Sequence, residues 1–340
     1  MDYYNYHNYH RYSVLGRTQI LLLRIYLEVR GQTAMGTRRV LVTGCSSGIG
    51  LAVAARLAKD ELRRFKVVAT MRDLGKRGPL EKAAGDSLNK TLEIKQLDAC
   101  CEASIKDIWS NNVGYFAVLV NNAGVGMIGP LECQSIAAMQ ELFDTNFFGL
   151  VRLLKELLPD MKRRQSGHIV VMSSVMGLQG LLFNDVYSAS KFAVEGFCES
   201  LAVQAMKFNI KTTLVEPGPV VTEFERKVYE DAEKMDLSGT DEETAKIFRE
   251  VYLPYSKKVF ISLGQTPEEV AEAIKVITAK EPPLRHQTNR LYMPMTALKH
   301  ADPTGRLPLD TFYKMIFKHD VVFNATLGVL RILQRKAEKK

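Results

Sequence analysis

The chain is predicted to fold as an α/β protein, a doubly wound parallel sheet in a single domain with a C-terminal extension covering its ligand site. Three observations carry this. Apolar, β-branched runs recur from residue 39 onward: RVLVTG (39–44), FKVVATMR (65–72), LEIKQLDA (92–99), FAVLVNNAG (116–124), HIVVMSS (168–174) and IKTTLVEPG (210–218), with RLYMP (290–294) read as a further strand. Their hydrophobicity is continuous rather than alternating, as in strands buried on both faces. Helical patterns at 49–63, 135–163 and 188–208 lie between them, and a glycine-rich turn follows the first run directly. This rhythm predicts helices on both faces of one sheet, with ligands at the carboxyl ends of the strands.

The flanks read differently. Residues 1–34 begin MDYYNYHNYHRY and continue TQILLLRIYLEV, which falls short of the roughly 18 apolar residues of a membrane span and lacks a small-residue cleavage site. They are expected to be an appended, poorly ordered extension before a domain at 35–310. About 40 residues after EPGPVVTEF, within a covering segment at about 219–262, are expected to pass before the next clear helix. The tail, 311–340, ends VVFNATLGVLRILQRKAEKK, an apolar stretch with a basic end; it either lies on an anionic membrane surface or packs and frays.

A net charge of +8 favours anionic partners, and composition alone does not choose among a phosphorylated cofactor, acidic lipid and nucleic acid. Nucleic acid is disfavoured, because the basic cluster KRR at 162–164 sits at a helix end where cations are ordinary. Five cysteines without a CxxC pair point to a reducing compartment, hence a cytoplasmic location with peripheral membrane contact left open. The histidines lack ligand spacing, so no metal is expected.

The turn after the first strand, TGCSSGIG, places Gly44, Gly48 and Gly50 where a backbone must approach a pyrophosphate at a helix N-terminus. After the second strand Arg72 stands where a NAD-binding fold would place an acid. A guanidinium holds a 2′-phosphate bidentately, so NADP(H) is favoured over NAD(H). Asp73 complicates this, because it can accept a ribose hydroxyl or pair with Arg72. Ser47 can serve the same phosphate. Asp98 is a candidate acceptor for the adenine amino group, and Asn122, Ala123 and Gly124 bring backbone close to the adenosine ribose. Farther on, YSASK sets Tyr187 and Lys191 four residues apart on one helix face, with small residues between them. A nearby ammonium is expected to favour phenolate and lower the tyrosine pKa.

In this order TGCSSGIG, NNAG, DTNFFG, SS, YSASK and EPGPVVT resemble the classical short-chain dehydrogenases/reductases, over residues 39–222. The resemblance implies a Rossmann fold, hydride chemistry, and Asn146, Ser174, Tyr187 and Lys191 as the catalytic set. The thirteen-residue gap from Ser174 to Tyr187 is the one usual in that family, so the resemblance favours Ser174 over Ser173. It further implies cofactor contacts from Ser46, Ile49, Tyr187, Lys191, Pro217, Gly218, Val220 and Thr222, and a homodimer through the helices at 135–163 and 188–208. In these roles Tyr187 is the general acid/base, Ser174 binds the substrate oxygen, and Asn146 holds a water leading to Lys191.

Within that family, residues 36–310 are most similar to photoreceptor-type all-trans-retinol dehydrogenases and, slightly less, to estradiol 17-beta-dehydrogenases. A retinoid and a steroid are therefore the two expected substrates; a cofactor-binding scaffold without turnover is disfavoured because all four catalytic residues stand. Met176, Leu178, Leu181, Leu182 and Phe183 are expected along the substrate. At the far end the resemblance places Tyr255 and Asn289 where steroid-acting relatives carry His and Glu, which ranks the retinoid first.

Overall fold

The computed structural model describes residues 37–110 and 114–318. Seven strands, β1 (Arg38–Val42), β2 (Phe65–Met71), β3 (Leu92–Gln96), β4 (Val118–Asn121), β5 (Gly167–Met172), β6 (Ile210–Glu216) and β7 (Arg285–Gln287), form one sheet in the order β3-β2-β1-β4-β5-β6-β7. Every pairing is parallel. The order reverses between β1 and β4, and the crevice at that switch point is where such sheets bind ligands.

The described helices are α1 (Gly48–Ala58), α2 (Gly78–Ala84), α3 (Glu102–Ser110), α4 (Ile136–Phe143), α5 (Gly149–Arg164), α6 (Asp185–Met206), α7 (Glu223–Glu233), α8 (Glu242–Lys246), α9 (Leu253–Leu263), α10 (Pro267–Glu272), α11 (Met293–Ala301) and α12 (Arg306–Phe317). The sheet divides the core in two. Val40, Val42, Val67, Ala69, Val118 and Val120 face α1, α2 and α10, whereas Leu41, Val68, Leu119, Ile169 and Val171 face α3, α5 and α6. Alternate residues of one strand thus enter opposite cores, which is why the strand sequences are apolar throughout.

Three local expectations are corrected. The last strand is RHQ at 285–287; RLYMP instead makes a 3₁₀ turn and the start of α11. Asn289 caps that turn by accepting the Leu291 N–H at 3.0 Å, and Pro294 suits a first helical turn better than a strand. The helix expected over 135–163 is α4, a π-helical turn at Asp144–Phe148, and α5, which ends on left-handed Gln165. The stretch after EPGPVVTEF is mostly helical rather than open. Thr222 caps α7 through its hydroxyl, Asp241 caps α8 through its carboxylate, and Phe248, Tyr252 and Leu253 pack with Phe183 and Ile128 into a small third core. Charges dominate α7, so its inward positions Phe224, Val228 and Ala232, spaced by four, were hidden in EFERKVYEDAE.

α12 runs through residue 310, the expected domain limit, and lies across the cavity mouth. No described helix is long and apolar enough to cross a membrane. The extension at 1–34 and most of the tail at 311–340 fall outside the described residues.

Candidate active site

The loops leaving β1 and β4 are locked together. Thr43, fully buried, accepts the backbone N–H groups of Asn122 and Ala123 on its Oγ1, each at 3.0 Å. The Asn122 amide returns bonds to the carbonyls of Thr43 at 2.9 Å and Gly44 at 3.1 Å. Gly44 has a positive φ of 70°, and a Cβ there would meet Ala123 Cα at 2.9 Å. A Cβ on Gly50 would stand 2.3 Å from the Gly44 carbonyl oxygen. Only glycine lets α1 start this close to the strand ends. Ser47, at the N-cap of α1, makes no side-chain cap.

A cavity of about 1760 Å³ opens over this crevice. Of the expected catalytic and cofactor-binding residues, all but Gly50 and Asn146 line it. On one rim the exposed Arg72 has no hydrogen-bonding or ion-pair partner for its guanidinium among the described residues, and Ser47 and Lys76 share that rim. Asp73 does not pair with Arg72: its carboxylate accepts the Gly75 N–H at 2.8 Å and caps the turn at Leu74–Lys76. One oxygen of Asp98 is likewise occupied by the Cys100 N–H at 2.9 Å. A glycine cradle beside an unpartnered guanidinium fits a phosphorylated dinucleotide.

Deeper in, Ser174 caps the short turn after β5 by accepting the Met176 N–H at 3.1 Å, and its hydroxyl acts on the Tyr187 phenol. Lys191 lies one turn on from Tyr187, with Nζ 5.8 Å from the ring centroid and donating to the Met172 carbonyl at 3.0 Å. Asn146, buried in the π turn, does not reach the cavity. Its Oδ1 accepts the Val125 N–H at 2.8 Å, and its amide donates to the Val125 carbonyl at 2.9 Å and Ser190 Oγ at 3.1 Å. Ser190 Oγ donates to the Tyr187 carbonyl at 2.7 Å. Asn146 therefore ties the β4 loop to the helix that carries Tyr187.

The electrostatics correct the expectation for the tyrosine. Burial raises the Tyr187 pKa above its ordinary value, the Glu225 carboxylate adds to the rise, and the Ser174 hydrogen bond opposes it. Lys191 is buried beside it, and burial works against the lysine's own charged form. Its pKa falls to about 8, with Glu195 favouring the ammonium. Glu195, itself buried on α6, is held by Arg285, which also bonds Glu216 at 3.0 Å and Glu199 at 2.6 Å. The edge strand β7 thus supplies the cation that keeps negative charge behind Lys191.

The outer cavity wall is mostly apolar. Met176, Leu181 and Leu182 line it as expected, joined by Val259, Leu298, Phe312 and Met315 from the covering helices. Leu178 and Phe183 do not line it. Phe183 packs edge-on against Phe248 and Tyr252 at 5.1 and 5.3 Å, while the Leu178 carbonyl accepts a bond from Lys299 at 2.7 Å. Of the two residues expected at the far end, Tyr255 lines the cavity. Asn289 does not: it is buried, donating to the Leu263 carbonyl at 3.0 Å as well as capping its turn. Sequence reasoning passed over Thr43, Lys76 and Glu225; only Thr43 carried a signal, standing next to the first motif glycine.

Residues 38–233 match the short chain dehydrogenase family. The chain belongs to that family. This short chain dehydrogenase is 55% identical over 298 residues to human retinol dehydrogenase 8, covering 87% of this chain and 96% of the relative. It is 45% identical over 293 residues to human 17-beta-hydroxysteroid dehydrogenase type 1, covering 85% of this chain and 88% of the relative. A solved short-chain dehydrogenase from Streptomyces avermitilis superposes with a TM-score of 0.62 at 26% identity, covering 85% of this chain and all of that one. The closed form of serine dehydrogenase complexed with NADP+ superposes at 0.59 with 27% identity, covering 73% of this chain and 93% of that one. This short chain dehydrogenase is an oxidoreductase with a nicotinamide cofactor.

Thr43→Val keeps the side-chain shape and leaves two backbone N–H groups without their acceptor. It is expected to lower unfolding stability by about 1–3 kcal/mol in denaturant titration. An unchanged midpoint would show that the strand pairing holds the two loops without the hydroxyl.

Proposed function

We propose that this short chain dehydrogenase interconverts all-trans-retinal and all-trans-retinol with NADP(H), Tyr187 acting as general acid and base. The observation that carries the reading is the 55% identity to human retinol dehydrogenase 8 over nearly the whole length of both chains. An apolar outer cavity wall supports it, because a polyene with a hydrocarbon ring asks mainly for apolar contact. NADP(H) rather than NAD(H) is supported by the unpartnered Arg72 and by Lys76 on the same rim. A homodimer through the helices at 135–163 and 188–208, α4 to α6, is supported by the exposed Phe148, Val203 and Met206 on or beside them.

The bound dinucleotide would supply or accept the hydride, held by the turn at Gly44–Ile49, by Asn122–Gly124 and by Pro217–Thr222. The chain's own residues manage the proton. Ser174 hydrogen-bonds the substrate oxygen as negative charge develops, and Tyr187 donates its phenolic proton in reduction or accepts one in oxidation. Lys191 places an ammonium beside the site, and Asn146 keeps the β4 loop against α6.

A steroid 17-ketone is the second reading, favoured by the 45% relative and by the polar side chains of Tyr252, Tyr255 and Ser256 on the covering helices. Measuring kcat/KM for all-trans-retinal and estrone with NADPH on one preparation separates them. Retinal is expected to be the better substrate, and a clear preference for estrone would reverse the assignment.

Tyr187→Phe is expected to lower turnover about 10²- to 10⁴-fold while leaving cofactor affinity near that of the parent chain. Near-normal turnover would remove the phenol from the chemistry. Arg72→Asp should weaken NADPH binding about 10- to 100-fold and leave NADH binding unchanged or improved, as read by fluorescence titration. Equal weakening for both cofactors would make Arg72 a structural residue.

A further inference from the structure

The first turn of α7 lies against the cavity. Thr222 caps it, and Phe224 and Val228 sit so close over the β4 loop that a Cβ on Gly126 would approach each within 2.8 Å. Glu225, between these two positions, lines the same cavity as Ser174 and Tyr187. Its exposed neighbours Glu223 and Arg226 pair with each other, and Arg226 also reaches Glu230 at 2.8 Å. The Glu225 carboxyl has no hydrogen-bonding or ion-pair partner among the described residues. A carboxyl in a mostly apolar cavity with no cation beside it is an unusual placement.

We propose that Glu225 governs whether Tyr187 presents a proton or a lone pair to the substrate oxygen. The inference rests on the assignment of Tyr187 as the acid/base. In reduction the Tyr187 O–H bond breaks, its proton goes to the carbonyl oxygen and the electron pair stays on the phenolate, with the nicotinamide as hydride donor. Oxidation requires that phenolate beforehand. Ionised Glu225 puts a second negative charge in the same cavity and opposes phenolate, so in the alkaline range it keeps Tyr187 a donor.

Asp185, Tyr255 and Tyr292 share the cavity with this pair. Ser174 faces Tyr187 from the β5 loop and Lys191 faces it along α6; from α7, Glu225 acts on Tyr187, on Tyr229 of its own helix, and on Tyr252, which ends a second π-helical turn at Ile247–Tyr252. Burial alone lifts the Glu225 pKa, to about 8. Below that pH its carboxyl is neutral and leaves Tyr187 unopposed; above it the carboxylate pushes the phenol's ionisation further up.

Glu225→Gln removes the charge and keeps the size. Two readouts are compared with the parent chain and with Glu223→Gln, an exposed charge change on the same helix. The first is the midpoint of the alkaline rise in kcat for retinol oxidation. The second, independent of turnover, is the tyrosinate absorbance titration of Tyr187, taken as the difference between each chain and its Tyr187→Phe counterpart. Both midpoints are expected to fall by about one unit in Glu225→Gln and to stay put in Glu223→Gln. Equal absorbance midpoints in Glu225→Gln and the parent would overturn the proposal. A shifted absorbance midpoint in a chain whose Tyr187→Phe variant turns over normally would support the coupling and remove Tyr187 from the chemistry. Should Glu225→Gln fail to fold, Glu225→Met gives the same comparison, because the charge is equally absent.

Discussion

Everything at the site is referred to the clasp between the first and fourth strands. Parallel strands bring two loops side by side at the switch point, and without side-chain help their backbone groups would compete for water in the crevice. Thr43 and Asn122 satisfy those groups mutually, each serving the other's loop. With the loops fixed, Gly44 and Gly50 bring α1 onto the strand ends, and Gly124 passes against Asn146, where a Cβ would lie 3.3 Å from Oδ1. Asn146 in turn reaches Ser190, next to Lys191, so cofactor cradle and catalytic helix belong to one hydrogen-bonded frame.

Burial sets the chemistry that this frame holds. It raises the Tyr187 phenol and lowers the Lys191 ammonium, each toward its neutral form. Charged neighbours act against that trend only on the lysine side. Glu195 sustains the ammonium, and Arg285 holds Glu195 in place from a strand far along the chain. Desolvation of Glu195 and Glu216 outweighs their attraction to one guanidinium, so both pKa values rise, that of Glu216 to about 7. On the tyrosine side the charged neighbour is Glu225, and it has the opposite sign.

The covering helices explain how one cavity can be apolar at its outer wall and polar near its roof. Their inward apolar residues close a small core of their own around Phe183 and Phe248, which holds the roof without drawing on the main core. Tyr252 is then tethered to Asn184 at 2.8 Å, and the Tyr229 hydroxyl bonds Ser256. These polar contacts lie between elements distant in the chain, and they shape the space left for a substrate.

Legibility followed the range of the interactions. The parallel sheet, the glycine turn and the Tyr187–Lys191 pair were readable because each depends on residues close in sequence: a buried strand is apolar on both faces, a tight turn needs glycine, and a spacing of four puts two side chains on one helix face. The last strand was misplaced because RHQ is polar at a sheet edge and bears no strand pattern, and α7 was hidden because charge outnumbers its inward residues. The tyrosine's pKa was misjudged for a different reason. Sequence shows which charges are near along the chain, whereas desolvation and the approach of Glu225 arise only when helices from elsewhere close over the site. By itself, then, the sequence determined the sheet, the cofactor turn and the catalytic helix, all of local origin. The tertiary structure alone decided the roof, the Arg285 cluster and the electrostatic balance at Tyr187, because burial and long-range proximity have no signature in a linear spacing.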